Sequence, residues 1–330
     1  MARQPRIEAY RVYSIILILI GHTLHFAEID VSQPLAKAFG YPIAILARAT
    51  IPFFFILSGF FLGGKIIDAP AQAISIARKY TWKLGALFLF WCAIYALANP
   101  YRSWILLTEN PVRLIFEGTR VHLWFLASLF LTVWLFALWP MTRKSVTFLA
   151  LGGILFVIGL LGGPYRLSAL GLDLHFNTRD GIFFSTIFFG IGAWFHSSKP
   201  NVSKTTATWI FLAGITAFSI ESIFLWSQYR LSPLYNDYVL GSIPYGIGLF
   251  LIAYRFEANR LDKLAAPFAI YVIGMYVSHM LIIDLLLKPF HRLFNPVLWQ
   301  LTGPILLCLL TLAITWLIGQ TRLRRLVGLD

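Results

Sequence analysis

Two residues near the start of the chain have side chains suited to chemistry and a spacing that a helix would align. Arg11 and His22 are eleven residues apart. At about 100° per residue, the two side chains point in directions that differ by roughly 20° around the helix. They therefore lie on one face, on the order of 16 Å apart along the axis. The planar fork of a guanidinium suits phosphate, and an imidazole with an ordinary pKa of about 6.5 suits proton transfer. His25 follows His22 by one turn on nearly the same face.

The composition places this helix in a membrane protein. The 330 residues are 58% hydrophobic and 12% charged, with a mean hydropathy of +0.75, so a soluble fold could not cover the apolar surface. The net charge of +13 then indicates basic loops and headgroup contacts rather than nucleic-acid binding. Cys92 and Cys308 lie in apolar stretches and are interpreted as buried, with no disulfide or metal role. The first apolar segment carries histidines and does not resemble a cleavable signal peptide.

Apolar stretches near the length that crosses a roughly 30 Å hydrocarbon core predict an all-α membrane bundle of about ten helices. The predicted spans are 12–27, 43–63, 83–98, 121–140, 146–163, 180–196, 206–226, 236–254, 265–287 and 298–318. We interpret residues 1–330 as a single domain, since no linker or internal repeat is found. A cytoplasmic N-terminus puts most basic residues on the cytoplasmic side, which predicts that both termini are cytoplasmic.

Ionisable side chains within the predicted spans are costly and therefore indicate a function or a buried ion pair. Besides His22 they are His25, Arg48, Glu221, His279 and Asp284, with His122 and Trp124 at the predicted outer end of the fourth span. Two interpretations stay open. These side chains converge on one polar cavity, or acids such as Glu221 and Asp284 pair with Arg48 as struts between helices.

Two loop regions could bind ligands. Arg78, Lys79 and Lys83 precede the third span and would extend a phosphate site that begins at Arg11. Anchoring of a cytoplasmic loop explains these basic residues equally well. Segments 99–120 and 164–180, predicted to be outer loops, mix aromatic, acidic, basic and amide side chains. That mixture suits a carbohydrate, and it also suits an amphipathic cap over a helical bundle.

Four segments, in this order, resemble the acyltransferase-3 family of integral-membrane acyltransferases. They are Glu8–Arg11 with Gly21-His22-Thr23, the run from Arg48 to Ser58-Gly59, the segment His122-Leu-Trp124-Phe-Leu, and the segment from Ile270 to His279. The family pattern is an arginine, ten residues and a histidine, after an aspartate-rich lead-in where Glu8 replaces the usual aspartate. The resemblance covers most of the chain.

The resemblance implies transfer of an acyl group from acetyl-coenzyme A, the co-substrate, to a hydroxyl of an exported or lipid-linked saccharide. By carry-over His22 would be the catalytic base, with Arg11 and Glu8 beside it. Donor phosphates would bind Arg11, Arg78, Lys79 and Lys83. The acceptor cavity would be lined by His25, Arg48, His122, Trp124 and His279. No metal and no permanently bound cofactor is expected.

The resemblance also implies a multi-pass protein of the bacterial inner membrane that works among membrane lipids and with glycan-assembly partners. No esterase-like domain is expected after the tenth span, so we expect transfer to be completed within the membrane domain or with a partner. An acetyl-histidine intermediate is an alternative to direct transfer. From another class, a secondary transporter of a saccharide or organic anion would use His22 and His25 as a proton relay.

Overall fold

The computed structural model describes residues 4–26, 42–140, 144–231, 237–291 and 296–329. Across these residues the chain is 82% helix and forms no strand, which confirms the all-α prediction. The helices are α1 Pro5–Phe26, α2 Pro42–Asp68, α3 Pro70–Ala98, α4 Pro100–Glu109, α5 Pro111–Glu117, α6 Val121–Leu138, α7 Lys144–Gly162, α8 Ile182–Ser198, α9 Lys204–Tyr229, α10 Ser242–Arg255, α11 Arg260–Leu287 and α12 Pro296–Gly319.

Seven of the described helices are long and apolar enough to cross a membrane, namely α2, α3, α6, α7, α9, α11 and the Thr302–Gly319 part of α12. The apolar helix α8 is shorter. A helix overlaps each of the ten predicted intervals, because the same apolar runs that cross a bilayer also satisfy their backbone hydrogen bonds internally. The number of ten spans and the side on which each terminus lies stay predictions.

The chain forms two compact units. The first contains residues 1–50 and 256–330, and the second contains residues 51–255, so that the division falls within α2. In the first unit, α1 packs against α11 and α12. In the second unit, α8 packs against α7 and against the π-helical turn Gly59–Gly63 of α2. A Cβ atom at Gly59 would overlap the carbonyl of Phe189, so only glycine permits this close approach of two helices.

Asp262 fixes the start of α1 within the first unit. Its carboxylate accepts hydrogen bonds from Arg6 Nη1 at 2.9 Å and from Tyr13 Oη at 3.1 Å, and its side chain is 3% exposed. Asn259 and Asp262 also form a capping box at the first turn of α11, each side chain accepting from the other's backbone N–H. One buried carboxylate therefore joins α1 to α11, close in sequence to Glu8 and to Arg11, the residue predicted to bind phosphate.

We expect Asp262→Ala to destabilise the protein by about 3 kcal/mol, because the Arg6 guanidinium loses its carboxylate and Tyr13 loses its acceptor. Thermal unfolding of the detergent-solubilised protein measures this as a lower midpoint. Arg260→Ala, at an exposed position on the first turn of α11, is the matched control and should leave the midpoint unchanged. Equal midpoints for the two variants would contradict the role given to Asp262.

Candidate active site

Two imidazoles from different helices lie side by side in the first unit. The ring centroids of His22 in α1 and His279 in α11 are 4.9 Å apart, with the ring planes at 37°. His279 is fully buried, and His22 is partly exposed. The structure thus brings together the residue predicted as the base and one residue predicted to line the cavity.

A backbone carbonyl determines which nitrogen of His279 carries the proton. His279 Nδ1 lies 2.6 Å from the carbonyl oxygen of Tyr276, and because a carbonyl can only accept, Nδ1 must be the donor. In the neutral ring, Nε2 then holds the lone pair. A catalytic histidine is commonly oriented by a third group that its other ring nitrogen contacts. Here the Tyr276 carbonyl orients His279, and His279 lies next to His22, the predicted base.

Arg48 belongs to the part of α2 that lies beside His22. A Cβ built on Gly21 would lie 3.9 Å from the Cβ of Ala47, so the residues next to His22 and Arg48 are in van der Waals contact distance. Arg48 is partly exposed.

The predicted donor site begins with an ion pair on the first turns of α1. Arg11 Nη1 donates to Glu8 Oε2 at 2.6 Å, and the two side chains are 28% and 17% exposed. Since Glu8 engages only one side of the guanidinium fork, Arg11 keeps further N–H donors that a phosphate could use. Glu8 therefore orients Arg11, which is a physical role for the carboxylate that the sequence left undefined.

The remaining predicted residues of the first unit are placed as follows. Asp284 accepts a hydrogen bond from Lys288 Nζ at 2.8 Å, one turn further along the same chain segment. His25 is part of α1, but its side chain lies outside the described residues.

In the second unit, the three basic residues of α3 are exposed. Arg78, Lys79 and Lys83 all lie on the surface of this helix. Exposure suits both interpretations made from the sequence, donor binding and anchoring at the membrane surface.

His122 and Trp124, predicted to line the acceptor cavity, are both buried. His122 Nε2 lies 3.4 Å from Tyr95 Oη, and the two rings meet edge to face. The Trp124 ring is covered by a guanidinium, with Arg179 Cζ 4.7 Å from the ring centroid. Trp124 is therefore packed within the second unit, where one face of its ring supports Arg179.

Arg179 is the centre of a charged cluster that the residue-by-residue prediction missed. Its Nε donates to Asp180 Oδ1 at 3.0 Å, and its Nη1 lies 3.1 Å from Asp237 Oδ2. Glu117 accepts a hydrogen bond from Arg113 Nε at 2.9 Å, and its carboxylate is close enough to Asp180 to raise the pKa of that group. We name these five residues, together with Trp124, the Arg179 cluster. The mixed composition of segments 99–120 and 164–180 was the only sequence signal for it.

Two glycines allow the loops to bring the cluster together. Gly118 ends α5 directly after Glu117 with a φ of +66°, and Gly181 follows Asp180 with a φ of +78°. Both φ values are in the region that favours glycine. Gly181 N donates to the buried Ser128 Oγ at 2.8 Å, which fixes the loop against α6.

The cluster makes stability depend on pH. Burial raises the pKa of Asp180 to about 7, with Glu117 adding to the shift and Arg179 opposing it. Between its ordinary pKa of about 3.9 and this raised pKa, the folded state holds a proton that the unfolded state does not. We therefore expect the unfolding midpoint to fall as the pH rises from about 4 to 7. Asp180→Asn should flatten this slope, whereas Asp173→Asn, at an exposed position of the same loop, should leave it in place.

Glu221 has a structural role. It accepts the phenol of Tyr165 at 2.6 Å and the backbone N–H groups of Leu240 at 2.9 Å and Gly241 at 2.8 Å. These bonds join α9 to the loop that follows α7, through Tyr165, and to the residues that precede α10. Among the described residues, no group of three or more His, Cys, Asp and Glu side chains is placed to hold a metal ion.

Comparison with known proteins identifies the family. Two amino-acid racemases of Enterococcus faecalis are similar to this chain: one is 25% identical over 304 residues, or 85% of this chain and 41% of the racemase. The other is 30% identical over 171 residues, or 48% of this chain and 24% of the racemase. The chain thus spans less than half the length of these curated relatives, and no solved structure matches it. The sequence model of the acyltransferase-3 family, described as an acyltransferase domain, matches residues 4–320, nearly the whole chain. The chain belongs to the acyltransferase-3 family.

Proposed function

We propose that this protein is a membrane O-acyltransferase that transfers an acetyl group from acetyl-coenzyme A to a hydroxyl of an envelope or exported saccharide. Family membership and the apolar helices support a membrane acyltransferase. The observation that carries the chemistry is the pair formed by His22 and His279, whose ring centroids are 4.9 Å apart. It provides a base and a neutral neighbour that can share its proton.

In the proposed reaction, His22 removes the proton of the acceptor hydroxyl as its oxygen attacks the thioester carbonyl carbon. His279 donates its Nδ1 proton in a hydrogen bond to the Tyr276 carbonyl, which leaves the Nε2 lone pair to stabilise the imidazolium that forms on His22. Arg48 stabilises the oxyanion of the tetrahedral intermediate. The carbon–sulfur bond then breaks, the acetyl group stays on the acceptor oxygen, and the coenzyme A thiolate takes the proton back from His22.

Donor binding is proposed to depend on the fork of Arg11, which Glu8 holds in place. Arg78, Lys79 and Lys83 are candidate contacts for further phosphates. The proposed setting is the bacterial inner membrane, where acetyl-coenzyme A is available on the cytoplasmic side and the saccharide is exported.

The function is tested with purified protein in lipid nanodiscs, acetyl-coenzyme A labelled in the acetyl group, and unacetylated glycan from cells that lack this protein. We expect label in the glycan and release of one thiol for each acetyl group transferred. Mass spectrometry of surface glycans from cells with and without the protein identifies the acceptor. Saccharide flux into vesicles without any acetyl-coenzyme A requirement would instead support the transporter.

We expect Arg11→Lys to weaken acetyl-coenzyme A binding by about tenfold, because a point charge replaces a fork that can hold two phosphate oxygens. The shift of the thermal unfolding midpoint with added acetyl-coenzyme A measures the affinity. The KM for the acceptor glycan should be unchanged. Unchanged donor affinity in this variant would show that Arg11 does not bind phosphate.

A further inference from the structure

The proposed reaction leaves the Arg179 cluster of the second unit without a role. Arg179 is mostly buried, with 13% of its side chain exposed, and Asp180 and Glu117 are each 6% exposed. Placing so many charges out of water is costly unless each is paired. The cluster therefore has to be explained either by complete internal pairing or by a ligand.

The pairing within the cluster is incomplete. Nε and Nη1 of Arg179 are engaged by Asp180 and Asp237, and Trp124 covers one face of the guanidinium. Nη2 is buried and has no hydrogen-bond acceptor among the described residues. A buried donor left without an acceptor costs about 1–3 kcal/mol, so this N–H group is a strong candidate to bind an oxygen atom from outside the protein.

The groups in the rest of the cluster indicate which kind of ligand oxygen Nη2 would bind. Asp180 Oδ1 is engaged by Arg179 Nε and Glu117 Oε2 by Arg113 Nε, so each of these two carboxyl groups has a second oxygen that can accept. A hydroxyl both accepts from an N–H group and donates to a carboxyl oxygen. An anionic ligand would meet three carboxyl groups, and a cationic ligand would meet Arg179 and Arg113.

The Arg179 guanidinium is also held in one orientation, so that Nη2 can distinguish between ligands by the position of their oxygen atoms. Two carboxylates and an indole face fix the plane of the Arg179 guanidinium, so the direction in which Nη2 donates is fixed as well. Lysine would keep the charge at this position but could not make the three contacts at once.

We propose that the Arg179 cluster is a hydroxyl-binding site for the saccharide acceptor, in which Arg179 Nη2 donates to a sugar oxygen and the Asp180–Glu117 pair accepts from the same or a neighbouring hydroxyl. This assignment rests on the proposed acyltransferase function. It makes Arg179 a specificity-determining residue and gives Trp124 the role of supporting Arg179.

The test compares Arg179→Lys with Arg166→Gln, an exposed arginine of the same loop that serves as the matched control. Steady-state transfer to the unacetylated glycan is measured at varied acceptor and varied acetyl-coenzyme A concentrations. We expect the acceptor KM of Arg179→Lys to rise about tenfold while the KM for acetyl-coenzyme A stays constant. The Arg166→Gln control should match the wild type. An unchanged acceptor KM, with only the unfolding midpoint lowered, would show that the cluster is structural and would overturn the proposal.

A second variant covers a possible folding defect. If Arg179→Lys no longer shows a thermal shift with acetyl-coenzyme A, Asp180→Asn replaces it, since this substitution keeps the size of the side chain. We expect the same rise in acceptor KM, and wild-type values would overturn the proposal. The acceptor KM of the wild type should be insensitive to ionic strength. A strong increase with salt would show that an anionic group is bound and would overturn the hydroxyl assignment.

Binding without turnover separates this proposal from the proposed function. Saturation-transfer NMR with the unacetylated glycan should detect contact with the wild type and lose it with Arg179→Lys. If the glycan binds in this way but no acetyl group is transferred, the acyltransferase function fails and the binding site stands. If acetyl groups are transferred but Arg179→Lys binds the glycan as the wild type does, the binding site fails and the function stands.

Discussion

Replacing His22 with alanine is expected to lower acetyl transfer to the glycan by at least about a hundredfold, the smallest effect typical of losing a general base. The acceptor hydroxyl then has no group to take its proton, whereas Arg11 and Glu8 still form their ion pair on α1. Labelled acetyl transfer in nanodiscs measures the rate. The thermal shift with acetyl-coenzyme A should persist, because the donor contacts are unaltered.

His175→Ala is the matched control for this variant. His175 lies in the loop between α7 and α8, and its side chain is 85% exposed. Its removal should leave transfer, donor binding and stability unchanged. Transfer by His22→Ala at the rate of the His175→Ala control would remove His22 as the base and with it the proposed mechanism.

Two substitutions of His279 are expected to differ, because each retains a different ring nitrogen. Asparagine places an amide N–H where Nδ1 donates to the Tyr276 carbonyl, and glutamine places an amide oxygen near the position of Nε2. If Nε2 supports the imidazolium on His22, His279→Asn should lower kcat by about a hundredfold and His279→Gln by about tenfold. Rates at saturating donor and acceptor measure this difference.

Stability is measured alongside, since His279 is fully buried. His279→Asn should unfold at a temperature closer to the wild type than His279→Gln, because it keeps the hydrogen bond to Tyr276. Activity and stability would then rank the two variants in opposite orders, which a purely structural role cannot produce. The same order in both measurements would show that His279 only holds α11 together.

The sequence predicted the helical elements well, because an apolar run of sufficient length has few alternatives to a helix in a bilayer. The family resemblance, based on segments such as Arg11 to His22, is confirmed by the match over residues 4–320. The predicted ends of the helices were less accurate than their positions, because polar residues extend some helices beyond the apolar run from which each span was predicted. The first helix begins at Pro5, seven residues before the predicted span, because Arg6 and Tyr13 are fixed by Asp262 of α11.

The contacts between distant segments could not be predicted. One of the two interpretations of Glu221 was a strut paired with Arg48. Its observed partners are a tyrosine and two backbone N–H groups, and backbone groups leave no pattern in a sequence. The Arg179 cluster joins α5 to a loop more than 60 residues later, and it depends on the turns at Gly118 and Gly181. The pairing of His22 with His279 needs two helices that are far apart in the chain.

The π-helical turn Ile283–Leu287 in α11 affects how the loss of one residue would alter the orientation of the residues after it. Such a turn contains one residue more than an α-helical turn would, and each residue rotates the helix by about 100°. Deleting one residue there would rotate the residues that follow the turn, beginning with Lys288, about the helix axis relative to His279. The orientation of the residues after Leu287 is therefore separable from the position of the imidazole pair, because the turn lies between them.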